Sequence, residues 1–204
     1  MPYPVKEDVQ ALLKDFHARI RKVVERAWAE WRAMAAFRAE NDFDPYLYSR
    51  TIANIVFDAI ARYAIAEFGA DSSVHIDIEP QTIKLFFKGS VFARFKKGDD
   101  NGLGQNIPTQ AALAFEFADA MLPGFPPETS KVEFIWLAND INTRLEHVLV
   151  VARDGDRLLW DYEIEDRGAV IIPFPESSTP PTQPEDDALV TPKTPEVKKP
   201  RENE

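Results

Sequence analysis

Three charged side chains between residues 77 and 84 have the types and spacing from which a metal-dependent nuclease site can be built. Asp77 and Glu79 are separated by one residue, and Lys84 follows after a short predicted turn. In such enzymes clustered carboxylates hold a divalent cation, and a lysine steadies the attacking water. The acid–x–Lys spacing typical of these nucleases is absent, and charge pairing across two strands accounts for the same residues without catalysis. A metal-dependent nuclease is therefore a second alternative function.

A second set of side chains alternates cations with aromatic rings along two neighbouring predicted strands. If alternate residues of each strand point to the same side, one face carries Lys84, Phe86, Lys88, Phe92 and Arg94. Aromatic rings on a sheet can stack bases while cations neutralise phosphates. This pattern predicts a single-stranded RNA- or DNA-binding domain as the first alternative. The competing interpretation is that Phe86 and Phe92 pack under a helix, in a sheet buried on both sides.

The segment Gln110-Ala-Ala-Leu-Ala-Phe115 matches the QxxLxF hexapeptide by which bacterial proteins dock on the DNA-polymerase sliding clamp. In such docking Leu113 and Phe115 would fill an apolar cleft, and Gln110 would form hydrogen bonds at its rim. Thr109 is a favourable N-cap residue, so the same segment is also predicted to be helical, whereas clamp peptides bind in an extended conformation. Leu113 and Phe115 are therefore either docking anchors or ordinary core residues.

Through this hexapeptide the chain resembles the sliding-clamp-binding replication toxins of bacterial toxin–antitoxin systems. Residues 106–110 and 122–127 are also similar to segments of bacterial proteins from mobile-element and defence loci. The resemblance implies a non-enzymatic, toxin-like or phage-defence effector that binds a host protein, with the sliding clamp as one candidate. It further implies a cognate antitoxin protein as a partner. No cofactor is expected.

Two helices are predicted before the residues discussed above. Apolar residues at three- and four-residue spacing predict a long amphipathic helix over residues 5–39. Asp44 and Pro45 have the types of an N-cap and a first helical residue, and Gly69 is placed to end the second helix. The short break between the helices predicts a helical hairpin. The apolar stripe of the first helix is broader than one small sheet is expected to cover, so we also expect that the protein can form a homodimer.

After Gly69 the hydrophobic period changes from 3.6 to 2, which is typical of strands. A further helix is expected from Thr109 to about Met121, between the third and fourth strands. The predicted strands cover residues 74–78, 83–87, 91–95, 132–137, 144–152 and 157–164. The order αα-βββ-α-βββ predicts an α+β fold in which the hairpin packs on an antiparallel sheet of about six strands.

Composition limits the class of protein. The 204 residues include 34 acidic and 24 basic side chains, a formal net charge of −10, and no cysteine. An acidic chain disfavours gross electrostatic binding to DNA or membranes, and the lack of cysteine excludes disulfides and thiolate metal sites. We expect one domain over residues 1–172 and a disordered Pro-rich tail over 173–204. With no apolar span and a charged N-terminus, we expect a cytoplasmic protein.

Overall fold

Helices come first in the chain and a six-stranded sheet follows, in a computed structural model of the protein. The structure describes residues 3–79, 82–99, 101–104, 115, 126 and 128–165. All of these belong to one compact unit, Met1–Arg167. The predicted boundary at residue 172 and the predicted tail lie outside the described residues. The predicted α+β class is confirmed.

The first helical run is nearly continuous over the predicted range. Helix α1 covers Lys6–Leu13, a 3₁₀ turn covers Lys14–Phe16, and helix α2 covers His17–Glu40. The periodicity therefore predicted the extent of this run and missed only the tighter turn within it. None of the helices among the described residues is long and apolar enough to cross a membrane.

The second predicted helix begins later than expected. Helix α3 covers Ser49–Phe68, and Asp44 lies in the loop that precedes it. The backbone oxygen of Asp44 accepts a 2.6 Å hydrogen bond from Arg38, and the ring of Tyr46 lies 6.0 Å from that of Trp31, centroid to centroid. These contacts hold the loop against α2. Tertiary packing thus outweighs the local capping preference of Asp44.

Six strands in the described residues form one sheet whose spatial order follows the chain order. They are β1 (Val74–Glu79), β2 (Thr82–Phe87), β3 (Val91–Lys97), β4 (Ser130–Ala138), β5 (Leu145–Asp154) and β6 (Arg157–Glu163). Neighbouring strands are antiparallel except β3 and β4, which are parallel, so the prediction of a wholly antiparallel sheet is corrected at this pair. A parallel pair requires a long crossover connection, which residues 98–129 supply. Of the helix predicted there, Phe115 alone is described, and it is helical.

One face of the sheet packs against the helices. The ring of Phe87 lies 5.0 Å from that of Phe16, 5.7 Å from that of Phe68 and 5.8 Å from that of Phe134. All four side chains are buried, and the three ring pairs are edge-to-face, an arrangement that aromatic side chains prefer. This core fixes the helical hairpin on the sheet.

The opposite face of the sheet is also covered in part. Leu103, in the segment that leaves β3, packs against Ile135 of β4 and Val151 of β5. The segment is held in place because the Asp99 carboxylate accepts a 2.9 Å hydrogen bond from the Leu103 N–H. The sheet therefore has apolar contacts on both faces over its central strands.

Candidate interaction surface

Four large apolar side chains are exposed at the end of the helical hairpin, where α2, the following loop and α3 meet. Phe37 is 57% exposed, Phe43 53%, Leu47 84% and Tyr48 55%. We call these four residues the hairpin-tip surface. Single exposed apolar residues are ordinary, but several of them close together are typical of an interaction site. The rings of Phe37 and Phe43 are in contact, with centroids 6.4 Å apart.

Two arginines lie among these side chains. The Arg38 guanidinium is 5.4 Å from the ring centroid of Phe43, and that of Arg50 is 4.8 Å from the centroid of Tyr48. Aromatic residues and arginine are the types most enriched among residues that dominate binding energy at protein interfaces. The hairpin tip thus combines apolar contact area with cations able to pair with carboxylates.

The first part of the loop between α2 and α3 is held by hydrogen bonds to the end of α2. The Phe43 N–H donates to the backbone oxygen of Arg38 at 2.9 Å, and the Asn41 amide donates to the backbone oxygen of Phe37 at 2.8 Å. Tyr46 faces inward, and its hydroxyl lies 3.8 Å from the sulfur of Met34. Because the backbone of residues 37–44 is held by these bonds, a partner that binds here need not order that part of the loop, which favours affinity.

Ion pairs join α2 to α3 and to the segment that follows α3. Arg19 of α2 donates to Asp71 at 2.5 Å, and this hydrogen bond is the largest cause that lowers the pKa of Asp71 to about 2. The pKa of Glu30 is below its ordinary value, mainly because Arg62 donates hydrogen bonds to the carboxylate and also because Tyr63 does. Both carboxylates therefore remain charged at neutral pH. Glu30 ties α2 to Arg62 of α3, and Asp71 ties the segment that follows α3 to Arg19 of α2.

The hexapeptide predicted to dock on a sliding clamp contributes one described residue. Phe115 is 4% exposed, its ring lies 5.7 Å from that of Phe92, and the Arg94 guanidinium lies 4.0 Å from its centroid. Gln110 and Leu113 lie outside the described residues. To reach a clamp cleft, Phe115 would have to leave Phe92 and Arg94.

The predicted nucleic-acid face is assembled but covered. Register partners bring Lys84 opposite Arg94 and Phe86 opposite Phe92, so these four residues share one face. Phe92 is 1% exposed and Arg94 5%, while Lys84 and Phe86 are half-buried. Lys88 lies apart in the turn after β2. In this arrangement the two most buried residues of the set are not accessible to a base or a phosphate.

Lys88 takes part in a contact with the helices instead. Its ammonium group donates to the Asp15 carboxylate at 3.2 Å and lies 5.3 Å from the ring centroid of Phe16. Phe16 belongs to the core on the helix side of the sheet. The position of Lys88 in a turn, with a φ of 45°, explains why strand alternation did not predict its side.

The residues of the nuclease interpretation form a cross-strand charge pair. Lys84 donates to Glu79 at 2.6 Å, and Asp77 is the register partner of Lys84. Among the described residues, no group of three or more histidine, cysteine, aspartate or glutamate side chains could hold a metal ion. This geometry matches charge pairing between neighbouring strands.

A buried ionic group on the covered face was missed by sequence reasoning. Arg94 donates twice to one oxygen of Glu133, at 3.0 and 2.6 Å, and Glu133 is fully buried. The other Glu133 oxygen accepts from the Gly104 N–H at 3.2 Å and lies 3.7 Å from the guanidinium of Arg153. The signal in the sequence is a charged residue between Val132 and Phe134, in a strand that is otherwise apolar.

Comparisons with protein-family models, with curated proteins and with solved structures find no match to this chain. The fold is an α+β arrangement of a helical hairpin on a mostly antiparallel sheet. Support for a function must therefore come from the surfaces and residues of the chain itself.

Proposed function

We propose that this protein is a non-catalytic interaction protein that acts by binding a host protein through its hairpin-tip surface. The observation that carries the proposal is the exposure of Phe37 in α2 and of Phe43, Leu47 and Tyr48 in the following loop, the first part of which is held by hydrogen bonds. Complete burial of an exposed apolar side chain of this size contributes about 1.5–3 kcal/mol, and these side chains, 53–84% exposed, could contribute much of that amount on binding a partner. A protein that covered them would gain this energy with little ordering of the loop.

The charges of the loop favour a protein over a nucleic acid as the partner. Glu40, Asp42 and Asp44 are exposed in the same stretch of chain as the apolar residues and would repel phosphates. Arg38 and Arg50 are stacked on aromatic rings, where they can meet carboxylates at the margin of an apolar contact. The partner we propose therefore presents an apolar groove with carboxylates at its rim.

The kind of effector we propose is toxin-like or phage-defence-like, and the support for this is the hexapeptide from Gln110 to Phe115. A cognate antitoxin would be a protein that covers the hairpin-tip surface and blocks the host partner from it. The sliding clamp remains one candidate among host partners, with docking through Gln110, Leu113 and Phe115.

The test is a pull-down with the full-length tagged protein from nuclease-treated bacterial lysate, read by quantitative mass spectrometry. Leu47→Asp places a charge at the most exposed of the four side chains, and the loss of one dominant interface residue costs about 2 kcal/mol or more. We expect a specific protein to be enriched by the wild type and to decrease by about thirtyfold in Leu47→Asp.

The matched control is Val5→Asp. Val5 is 50% exposed and is the N-cap of α1, at the far end of the helical run, where aspartate is favourable. This variant should capture the same protein as the wild type. Equal capture by Leu47→Asp, with thermal unfolding unchanged in both variants, would refute binding through the hairpin tip.

If the captured protein is the sliding clamp, Leu113→Asp separates two modes of binding. Docking through the hexapeptide predicts that clamp binding is lost while the unfolding transition is unchanged. A lowered unfolding transition instead would identify Leu113 as a core residue and would contradict hexapeptide docking.

A further inference from the structure

The open edge of the sheet is formed by β1, which among the described residues pairs with β2 alone. The Lys88 N–H donates to the backbone oxygen of Ser73 at 2.8 Å, so Ser73 and Lys88 form a hydrogen-bonded pair. This pair determines which residues of β1 form hydrogen bonds with β2. Because hydrogen-bonded and non-hydrogen-bonded pairs alternate along an antiparallel strand, the backbone N–H and C=O groups of His75 and Asp77 point to β2. The N–H and C=O groups of Ile76 and Ile78 point to the open edge.

The side chains of β1 divide between the two faces of the sheet. Val74 is buried in the core beneath the helices, Ile76 packs against that core, and Ile78 continues the row but is 65% exposed. His75 is exposed and Asp77 half-buried on the other face. The edge thus presents an apolar row on one face and two groups able to form a hydrogen bond on the other.

We propose that β1 pairs antiparallel with β1 of a second copy of this chain, with Ile76 opposite Ile76 about a two-fold axis. In this register Val74 lies opposite Ile78, so that the exposed isoleucine is covered by the core of the other copy. His75 lies opposite Asp77 twice, and an imidazole N–H can donate to a carboxylate in either protonation state. The interface is isologous and joins two six-stranded sheets into one.

Charge and apolar contact together favour this register over the neighbouring ones. A two-fold axis at Asp77 would place two carboxylates directly opposite each other, in the closely spaced non-hydrogen-bonded position. An axis at Ile78 would place Asp77 opposite Glu79, and an axis at His75 would leave Ile78 uncovered. Pairing about Ile76 covers the apolar row and also matches opposite groups on the second face.

The backbone geometry is compatible with the same pairing. Ile76 would exchange both of its hydrogen bonds with its counterpart, since its N–H and C=O already point outward. The Ile78 N–H would donate to the backbone oxygen of Val74 in the other copy. An edge strand presents a row of outward N–H and C=O groups, which is a template for such pairing.

The first test measures the sedimentation of the full-length chain over a concentration series. Ile78→Pro removes an N–H that points away from β2, and proline is tolerated where an edge-strand N–H faces outward. We expect the wild type to sediment as a dimer and Ile78→Pro as a folded monomer. The matched control, Ile141→Lys, alters an isoleucine that is 75% exposed in the turn after β4 and should remain dimeric.

A wild type that stays monomeric throughout the series would overturn the proposal. So would a dimer that persists in Ile78→Pro, since it would have to use another surface. Circular dichroism confirms that each variant is folded. Because neither outcome involves a captured host protein, failure here is distinct from failure of the hairpin-tip proposal.

The second test determines the register by disulfide trapping. The protein contains no cysteine, so no native thiol competes with the introduced one. In an antiparallel hydrogen-bonded pair the Cα atoms lie about 5.5 Å apart, within the range that a disulfide spans. Mild oxidation should therefore join two copies of Ile76→Cys and leave Asp77→Cys as single chains. The reverse result would place the axis at Asp77 and overturn the proposed register.

Discussion

Glu133 is a charged side chain without exposure to water, placed between apolar residues of β4. Burial of its carboxylate is tolerated because Arg94 donates two hydrogen bonds to it and the Gly104 N–H donates a third. Removing one partner of a buried ion pair is far more costly than removing one partner of an exposed pair. The pair therefore fixes the pairing of β3 with β4 on the covered face.

We expect Glu133→Ala to lower the free energy of unfolding by about 3–5 kcal/mol, as measured by urea denaturation. The matched control is Glu163→Ala, which breaks an exposed pair with His147 and should cost less than about 1 kcal/mol. Similar losses in the two variants would contradict the structural importance of the buried pair.

The Arg19–Asp71 pair makes stability depend on acid pH. The folded-state pKa of Asp71, about 2, is below the ordinary value for aspartate, so the pair stabilises the fold above that ordinary value. This stabilisation is lost as pH falls through the folded-state pKa, between about pH 4 and pH 2. Arg19→Gln should therefore be less stable at neutral pH and should lose less stability over that acid interval. Unfolding curves that change with pH as steeply as those of the wild type would contradict this.

At the scale of elements, the sequence predicts the regular parts well because burial imposes a period on them. Val74, Ile76 and Ile78 alternate with polar residues, and β1 is found there. The start of α3 could not be predicted from Asp44, because the contacts of Arg38 and Tyr46 that hold the loop are not local preferences. The parallel pairing of β3 and β4 likewise depends on the path of a long connection.

The candidate surface is harder to predict than the fold. Phe43 and Leu47 lie in a loop, where no period separates an exposed apolar residue from a buried one. Phe92 and Arg94 share one face, as predicted, but both pack against Phe115, a residue distant in the chain. Strand alternation gives the face of a residue and does not show what covers that face.

The close approach of residues 98–104 to the sheet gives a prediction at this scale. A Cβ atom on Gly104 would lie 2.5 Å from a Glu133 carboxylate oxygen and 2.9 Å from the Cβ of Lys96. We expect Gly104→Ala to lower the free energy of unfolding by about 1–3 kcal/mol, measured by urea denaturation.

The control for this variant is Gly102→Asn in the same segment. Gly102 has a φ of +73°, which asparagine tolerates better than most residues, and a Cβ there would have no atom within 4 Å. This change should be nearly neutral. A neutral Gly104→Ala would show that the segment can move away from Glu133.

At the scale of the whole molecule, the two proposed binding surfaces use different parts of the fold. The hairpin-tip surface belongs to α2, α3 and their connecting loop, whereas the dimer edge belongs to β1. The net charge of −10 opposes non-specific association with nucleic acid and with other acidic chains. Binding therefore has to depend on apolar contacts and matched charges at short range.

The most direct measurement of the central proposal is amide hydrogen exchange, read by mass spectrometry, on the protein with and without its captured partner. Binding through the hairpin tip predicts slower exchange across residues 37–50, which span the loop and the helix ends beside it. Unchanged exchange across residues 37–50, with protection at other residues, would contradict the proposal.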